Sequence, residues 1–221
     1  MLQIRMPMVC CYALRQGDAV YLIDTGFVGG AKVINRALQQ RGWGDLQVEG
    51  ILLTHGHLDH TLNAARLADE YGAWVMAPEK DKVLLEGDFS GDAWGKVGGW
   101  MQQAAALVLR YKMADDIIWY QEDTSCDLRV EGLQVSSLPG HTAGHSGFLY
   151  QGYLFCGDLF ASHDFFTHLP PSIFNQNTVA AKSSLLQVAE MDLEGVFPCH
   201  CDRVTPEVHL SRLLQLAAAQ K

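Results

Sequence analysis

The stretch HGHLDH at His55–His60 places three of the nine histidines and a carboxylate within six positions. It follows Val48–Thr54 (VEGILLT), an apolar run typical of a buried strand. Residues 61–71 then show the apolar spacing of a helix. The sequence therefore predicts a polar cluster at the carboxyl end of a buried strand.

This cluster has the composition of a metal site. Histidines at positions i and i+2 of an extended segment point the same way, so His55 and His57 can bind one ion. Asp59 and His60 lie on the turn into the next helix, face elsewhere and can serve a second ion. The alternative is a polar loop in which Asp59 caps the helix, but four such residues at this spacing favour metal binding.

Three later strand ends carry the same residue types. His141, in the glycine-rich stretch PGHTAGH at 139–145, is a candidate third ligand of the first ion. His145 is a candidate ligand, a candidate hydrogen-bond donor that supports a ligand, a substrate contact or a turn residue. Asp158 closes the strand Tyr153–Cys156, where a carboxylate can bridge two cations, and His200 ends another strand. Taken singly, each of these residues also fits an ordinary turn.

Composition indicates a folded protein that does not bind nucleic acid. The 221 residues are 48% hydrophobic and 19% charged, enough apolar material for a sizeable core. Sixteen basic against 25 acidic residues give a net charge of −9, the wrong sign for contacting a phosphate backbone. We expect one domain over residues 1–221, with a helical insertion at about 79–120.

The order of predicted elements suits a layered α/β sandwich. In the first half, strands at Ala19–Asp24 and Val48–Thr54 are each followed by a helix. From Leu128 the period changes to two, which predicts an antiparallel meander at residues 133–138, 147–150 and 153–156. A helix at Val179–Met191, a strand at Gly195–Pro198 and a helix at Pro206–Ala219 follow.

Targeting signals are not recognisable. Residues 132–157 lack charged side chains, but glycines, serines and histidines interrupt them, so they do not predict a membrane span. The first residues have no basic stretch followed by an unbroken apolar run. We expect a cytoplasmic protein with reduced cysteines and no membrane partner.

Five motifs in this order resemble those of the metallo-β-lactamase-fold hydrolase superfamily, and the likeness covers nearly the whole chain: Asp24-Thr-Gly26, His55–His60, Pro139–His145, Gly157-Asp158 and His200. The resemblance implies a four-layer αββα sandwich. It also implies two Zn²⁺ ions, with iron or manganese as other possibilities.

The resemblance assigns a role to each candidate ligand. His55, His57 and His141 would hold one ion. Asp59, His60 and His200 would hold the other, and Asp158 would bridge both. Asp24 would lie beside the site without binding metal.

Two features depart from the family pattern. Glycines often flank the last histidine in the family, whereas this chain reads Pro198-Cys-His-Cys201, which leaves two thiols near the metals. His141 also comes 81 positions after His60, a longer interval than in glyoxalase II. The intervening helices are expected to roof the active site or to form a homodimer contact; their aromatic residues are Trp94, Trp100, Tyr111, Trp119 and Tyr120.

The expected activity is hydrolysis of a small ester, thioester or lactone, with a hydroxide held between two metal ions as the nucleophile. The leaving group then needs a proton, for which the candidates are Asp59, His145, His163 and His168. Two alternatives remain open. One is a persulfide dioxygenase-like oxidoreductase with a single iron bound by the first histidine, His141 and Asp158. The other is a metal-binding module without activity.

Overall fold

The computed structural model describes residues 1–88, 96–121 and 127–220. The first half of the chain forms the following elements: β1 (Leu2–Arg5), β2 (Cys10–Gln16), β3 (Ala19–Ile23), α1 (Gly30–Arg41), β4 (Gln47–Leu52), α2 (Leu58–Thr61), α3 (Ala64–Tyr71), β5 (Trp74–Pro78) and, after a 3₁₀ turn at Glu79–Asp81, α4 (Lys82–Leu85).

The second half continues with α5 (Lys96–Leu109), β6 (Ile118–Tyr120), β7 (Leu133–Ser137), β8 (Ser146–Tyr150), β9 (Tyr153–Gly157), β10 (Ala161–Ser162), β11 (Thr167–His168), α6 (Thr178–Ala189), β12 (Gly195–Pro198) and α7 (Pro206–Ala218). A short 3₁₀ helix at Ser172–Phe174 precedes α6.

The strands form two larger sheets and one small ribbon. The first sheet has the order β1-β2-β3-β4-β5-β6, with antiparallel pairs up to β3 and parallel pairs from β3 to β6. The second has the order β12-β9-β8-β7. Its antiparallel β7-β8-β9 core confirms the predicted meander, and β12 adds to it in parallel with β9. Strands β10 and β11 pair with each other.

Side-chain alternation places the two sheets face to face. In β2, Cys11 and Ala13 pack towards α1 and α3, while Tyr12 and Leu14 point into the space between the sheets. There, Tyr12 contacts Phe155 of β9 with ring centroids 5.2 Å apart. Because successive residues of a strand face opposite sides, each sheet buries both of its faces.

Helices cover the outer face of each sheet. Ile34 and Leu38 of α1 and Leu67 of α3 lie against the first sheet. Leu185 of α6 and Leu213 of α7 lie against the second. The four layers are therefore helix, sheet, sheet and helix, which confirms the αββα sandwich that the sequence predicts.

Local structure differs from the predicted elements at the helix that follows the HGHLDH turn and at the first two strands. The helix expected from Thr61 to Tyr71 is divided into α2 and α3, because the Asn63 side chain turns back and its amide donates to the backbone oxygens of Thr25, Gly26 and Phe27. The strands β1 and β2 were not predicted. β2 is buried on both faces, so its sequence lacks the alternation that marks a strand with one exposed face.

The predicted helical insertion contains α4 and α5 but ends in β6, so residues 118–120 are strand rather than helix. Trp94 lies outside the described residues. The expected aromatic roof is wrong for Tyr120, which is buried between the sheets against Phe148, whereas Trp100 is exposed on α5. In the described ranges, no helix has both the length and the apolar character needed to cross a bilayer.

Candidate metal centre

The strand topology brings the predicted polar residues to one edge of the sandwich. Strands β7, β9 and β12 run in the same direction, so their carboxyl ends meet, and His141, Asp158 and His200 follow those ends. The HGHLDH turn follows β4 of the other sheet. A hydrogen bond from the Ser146 backbone N–H to the Thr54 carbonyl, 2.9 Å long, joins the two sheets here.

His55, His57 and His141 form the first group of candidate ligands. One ligand atom of each lies within 4.8 Å of those of the other two, and all three side chains are buried. His57 Nδ1 lies 2.9 Å from His141 Nε2. Two imidazole nitrogens this close can share a cation through their lone pairs.

Asp59, His60, Asp158 and His200 form the second group, again with ligand atoms within 4.8 Å of one another. Asp158 Oδ1 is 3.1 Å from His60 Nε2, and Asp158 Oδ2 is 3.1 Å from His200 Nε2. Asp158 Oδ2 is also 3.3 Å from His141 Nε2 of the first group. The Asp158 carboxylate therefore lies between the two groups.

Hydrogen bonds at Nδ1 fix the orientation of four of these imidazoles. In each ring the Nδ1–H donates to a neighbouring oxygen, so that Nε2 faces the site. The acceptors are Thr54 Oγ1 for His55 at 3.0 Å, Asp24 Oδ2 for His60 at 2.9 Å, Asn175 Oδ1 for His141 at 3.0 Å and the Met8 carbonyl for His200 at 2.7 Å.

The residues present fit a metal centre. Within the described chain, His55 Nε2 is buried and makes no hydrogen bond, and the buried His60 Nε2 and Asp158 Oδ1 face each other at 3.1 Å without hydrogen-bond geometry. A buried polar atom without a partner costs about 1–3 kcal/mol, so several of them facing one space call for a ligand. Imidazole nitrogens and carboxylate oxygens suit zinc, iron and manganese.

The two groups differ in their proton affinity. Burial lowers the pKa of His55 and His57, so both rings are neutral. Burial also acts against a charged His200, but the neighbouring Asp158 and Asp59 carboxylates outweigh it and raise the His200 pKa to about 11. Without a metal, the second group thus holds protons that a bound cation would displace.

Asp24, at the end of β3, binds the loop that follows β4 behind the ligands. Its carboxylate accepts hydrogen bonds from the Thr54 N–H and Oγ1, both at 2.8 Å, and from His60 Nδ1. The Asp24 backbone has φ of 60°, a left-handed conformation that is unfavourable for a side chain and is maintained by these contacts. Cys199 Sγ is 3.5 Å from Asp24 Oδ2, so this thiol contacts Asp24.

His145 does not face the cavity. Its Nδ1–H donates to the Leu138 carbonyl at 2.8 Å, and its Nε2 accepts from the Asp158 backbone N–H at 3.0 Å. Burial lowers the His145 pKa to about 3, so the ring stays neutral. The expected role as a proton donor is therefore corrected: His145 positions the backbone of Asp158.

Asp81 is a site residue that sequence reasoning missed. It is buried, and its carboxylate accepts hydrogen bonds from the Gly56 N–H at 2.9 Å, the Thr142 hydroxyl at 2.6 Å and the Gly144 N–H at 2.7 Å. It thereby joins the loop of His55 and His57 to the loop of His141. Burial raises its pKa to about 6 despite these hydrogen bonds.

A cavity of about 470 Å³ opens above both groups. His57, Asp59, His141, Asp158 and His200 line its floor. Two predicted proton donors, His163 and His168 of the β10–β11 ribbon, also line the cavity, as does Gln102 of α5. The insertion thus contributes to the cavity wall through α5.

Comparison with known proteins agrees with this geometry. A family model described as the metallo-beta-lactamase superfamily matches residues 7–200. The chain is 26% identical over 215 residues to the probable metallo-hydrolase YflN of Bacillus subtilis (strain 168), covering 89% of this chain and 80% of that protein. It is 28% identical to a hydroxyacylglutathione hydrolase of Nitrosomonas eutropha, over 77% of this chain but only 54% of that protein.

Solved structures share the fold. A metallo-beta-lactamase family protein of Thermus thermophilus superposes with a TM-score of 0.70 at 20% identity, covering 99% of this chain and 77% of the other. TTHA1623, solved in a di-iron-bound form, superposes with a TM-score of 0.65 at 24% identity, covering 95% and 96% of the two chains.

Replacing Asp81 tests its connecting role. Asp81→Asn keeps the size but places an amide N–H against one of three donors, so we expect a loss of about 1–3 kcal/mol in the free energy of unfolding. The amide proton resonances of Gly56 and Gly144 should both move. Asp18→Asn, at an exposed carboxylate, is the control and should change neither quantity. Unchanged stability and unchanged Gly56 and Gly144 resonances in Asp81→Asn would contradict the role.

Proposed function

Because this chain belongs to the metallo-β-lactamase superfamily, we propose that this metal-dependent hydrolase cleaves a small ester, thioester or lactone with two divalent metal ions, zinc in the first instance. The observation that carries the proposal is the pair of His/Asp groups that meet at Asp158 on the floor of a cavity. Relatives named metallo-hydrolase and hydroxyacylglutathione hydrolase support hydrolysis.

In this proposal each group holds one ion. His55, His57 and His141 form the first set of ligands, and Asp59, His60 and His200 form the second. Asp158 would belong to both sets, because its two oxygens lie 3.1–3.3 Å from nitrogens of His60, His141 and His200. Residues of both sets line the cavity, where a substrate would bind.

Two bound ions would supply a water of lowered pKa and would polarise the substrate carbonyl. The chain's own residues arrange the reaction. Asp158 and Asp59 offset part of the cations' charge, and the Nδ1 hydrogen bonds keep the imidazole rings in the orientation that exposes Nε2. His163 or His168 donates a proton to the leaving group from the cavity wall.

The second group of ligands separates this proposal from its alternatives. A single-iron oxygenase needs the first histidine, His141 and Asp158, and leaves Asp59, His60 and His200 without a function. A structural zinc site is usually closed by four protein ligands, whereas this one faces a cavity. One structural neighbour was solved in a di-iron-bound form, so elemental analysis is needed to identify the metal that this chain binds.

Metal retention tests the assignment of Asp158. Asp24 contacts His60 of the second group directly, so Asp24→Asn should weaken that site and keep about one ion per chain. Asp158→Asn removes a carboxylate between both sites, so it should retain less metal and less activity than Asp24→Asn. Elemental analysis after dialysis, with thermal unfolding to confirm folding, measures this. Equal metal retention in the two variants would contradict the assignment.

A series of leaving groups tests the proton donor. His163→Gln or His168→Gln should slow esters with basic leaving groups most, because good leaving groups depart without a proton. We expect a loss of about 10²-fold for the poorest leaving group. Asp164→Asn, on the same ribbon, is the control. If both histidine variants slowed all the esters equally, or slowed none of them, neither His163 nor His168 would be the proton donor.

A further inference from the structure

The cavity above the candidate metal centre is mainly apolar. Phe27, Leu58 and Phe174 line its wall, each from a different segment of the chain. Apolar pockets of this size, about 470 Å³, bind small molecules mainly through buried hydrocarbon. The described residues of the cavity wall offer a ligand many hydrophobic contacts and few hydrogen-bond partners.

The apolar character continues to the surface. Three lining residues are well exposed: Met8 at 80%, Met101 at 53% and Phe166 at 57%. They come from the loop after β1, from α5 and from the β10–β11 ribbon. Their convergence on one cavity gives it an apolar rim, so a hydrocarbon chain can leave the floor and stay in contact with protein.

Away from the candidate metal centre, the described wall of the cavity does not favour anionic ligands. Among the lining residues that the structure describes, there is no lysine or arginine, and the acidic side chains are those of Asp59 and Asp158. The whole chain carries a net charge of −9. A ligand carboxylate against the apolar wall would lose its hydration and find no lysine or arginine in return.

We propose that the cavity binds an uncharged acyl compound with a hydrocarbon chain along the apolar rim, in preference to an anionic glutathione derivative. This inference rests on the proposed function in placing the acyl carbonyl at the metal centre. This preference would distinguish the ligand of this chain from the glutathione compounds that its relatives named hydroxyacylglutathione hydrolase act on. Glutathione carries two carboxylates and one ammonium group.

Binding of compounds that cannot be hydrolysed tests the inference apart from catalysis. The probes are S-butyl, S-hexyl and S-octyl thioethers of N-acetylcysteamine, which is uncharged, and S-octylglutathione. On metal-loaded protein, calorimetry should show Kd falling about threefold per added methylene group. S-octylglutathione should bind at least about tenfold more weakly than the uncharged octyl compound.

Two lysine variants on α5 locate the effect. Met101→Lys places a cation at the rim, so it should weaken the uncharged octyl compound and reduce the discrimination against S-octylglutathione at least about threefold. Leu107→Lys adds the same charge on the same helix, at a residue that is 73% exposed and outside the cavity lining, and it should change neither Kd.

Binding that does not depend on chain length, or tighter binding of S-octylglutathione by the unmodified protein, would overturn the inference. An equal effect of both lysine variants would do the same. Turnover of the matching thioesters, oxygen esters and lactones is measured separately. Chain-length-dependent binding without turnover of any of them would refute the proposed function and leave this binding preference standing, whereas turnover without the preference would do the reverse.

Discussion

The position of the Asp158 carboxylate is the constraint on which the rest of the site depends. Three imidazole nitrogens from three loops lie 3.1–3.3 Å from its oxygens. Gly157 makes the turn before it with φ of 50°, and a side chain there would collide with His145 Nε2 at 2.8 Å and Thr54 at 3.0 Å. Packing therefore requires glycine at position 157, and the carboxylate that follows it at position 158 faces both groups.

Buried polar residues keep the ligand loops in place around this point. Asp24 joins the end of β3 to Thr54 and His60, Asp81 joins the HGHLDH loop to the loop of His141, and Asn175 orients His141. The hydrogen bonds of Asp24 and Asn175 determine which nitrogen of His60 and of His141 faces the candidate metal centre.

The sequence predicts which residues the structure brings together in the two groups, because these residues follow strand ends within short motifs. It also predicts the layers, since the period of apolar residues distinguishes the meander of β7 to β9 from the helices. It does not predict Asp81, which bonds to Thr142 across 61 positions, nor the division between α2 and α3 caused by Asn63. These contacts join segments distant in the chain. For His145 the motif leaves several roles open, and the hydrogen bond from the Asp158 N–H that selects the supporting role depends on the fold.

The central claim is that one carboxylate serves two metal ions. Anomalous X-ray diffraction from crystals of protein loaded with zinc, recorded on both sides of the zinc absorption edge, tests it most directly. The account predicts two peaks per chain about 3.5–4 Å apart, one beside His55, His57 and His141 and the other beside Asp59, His60 and His200, with Asp158 bound to both. A single peak, or two peaks without Asp158 between them, would contradict it.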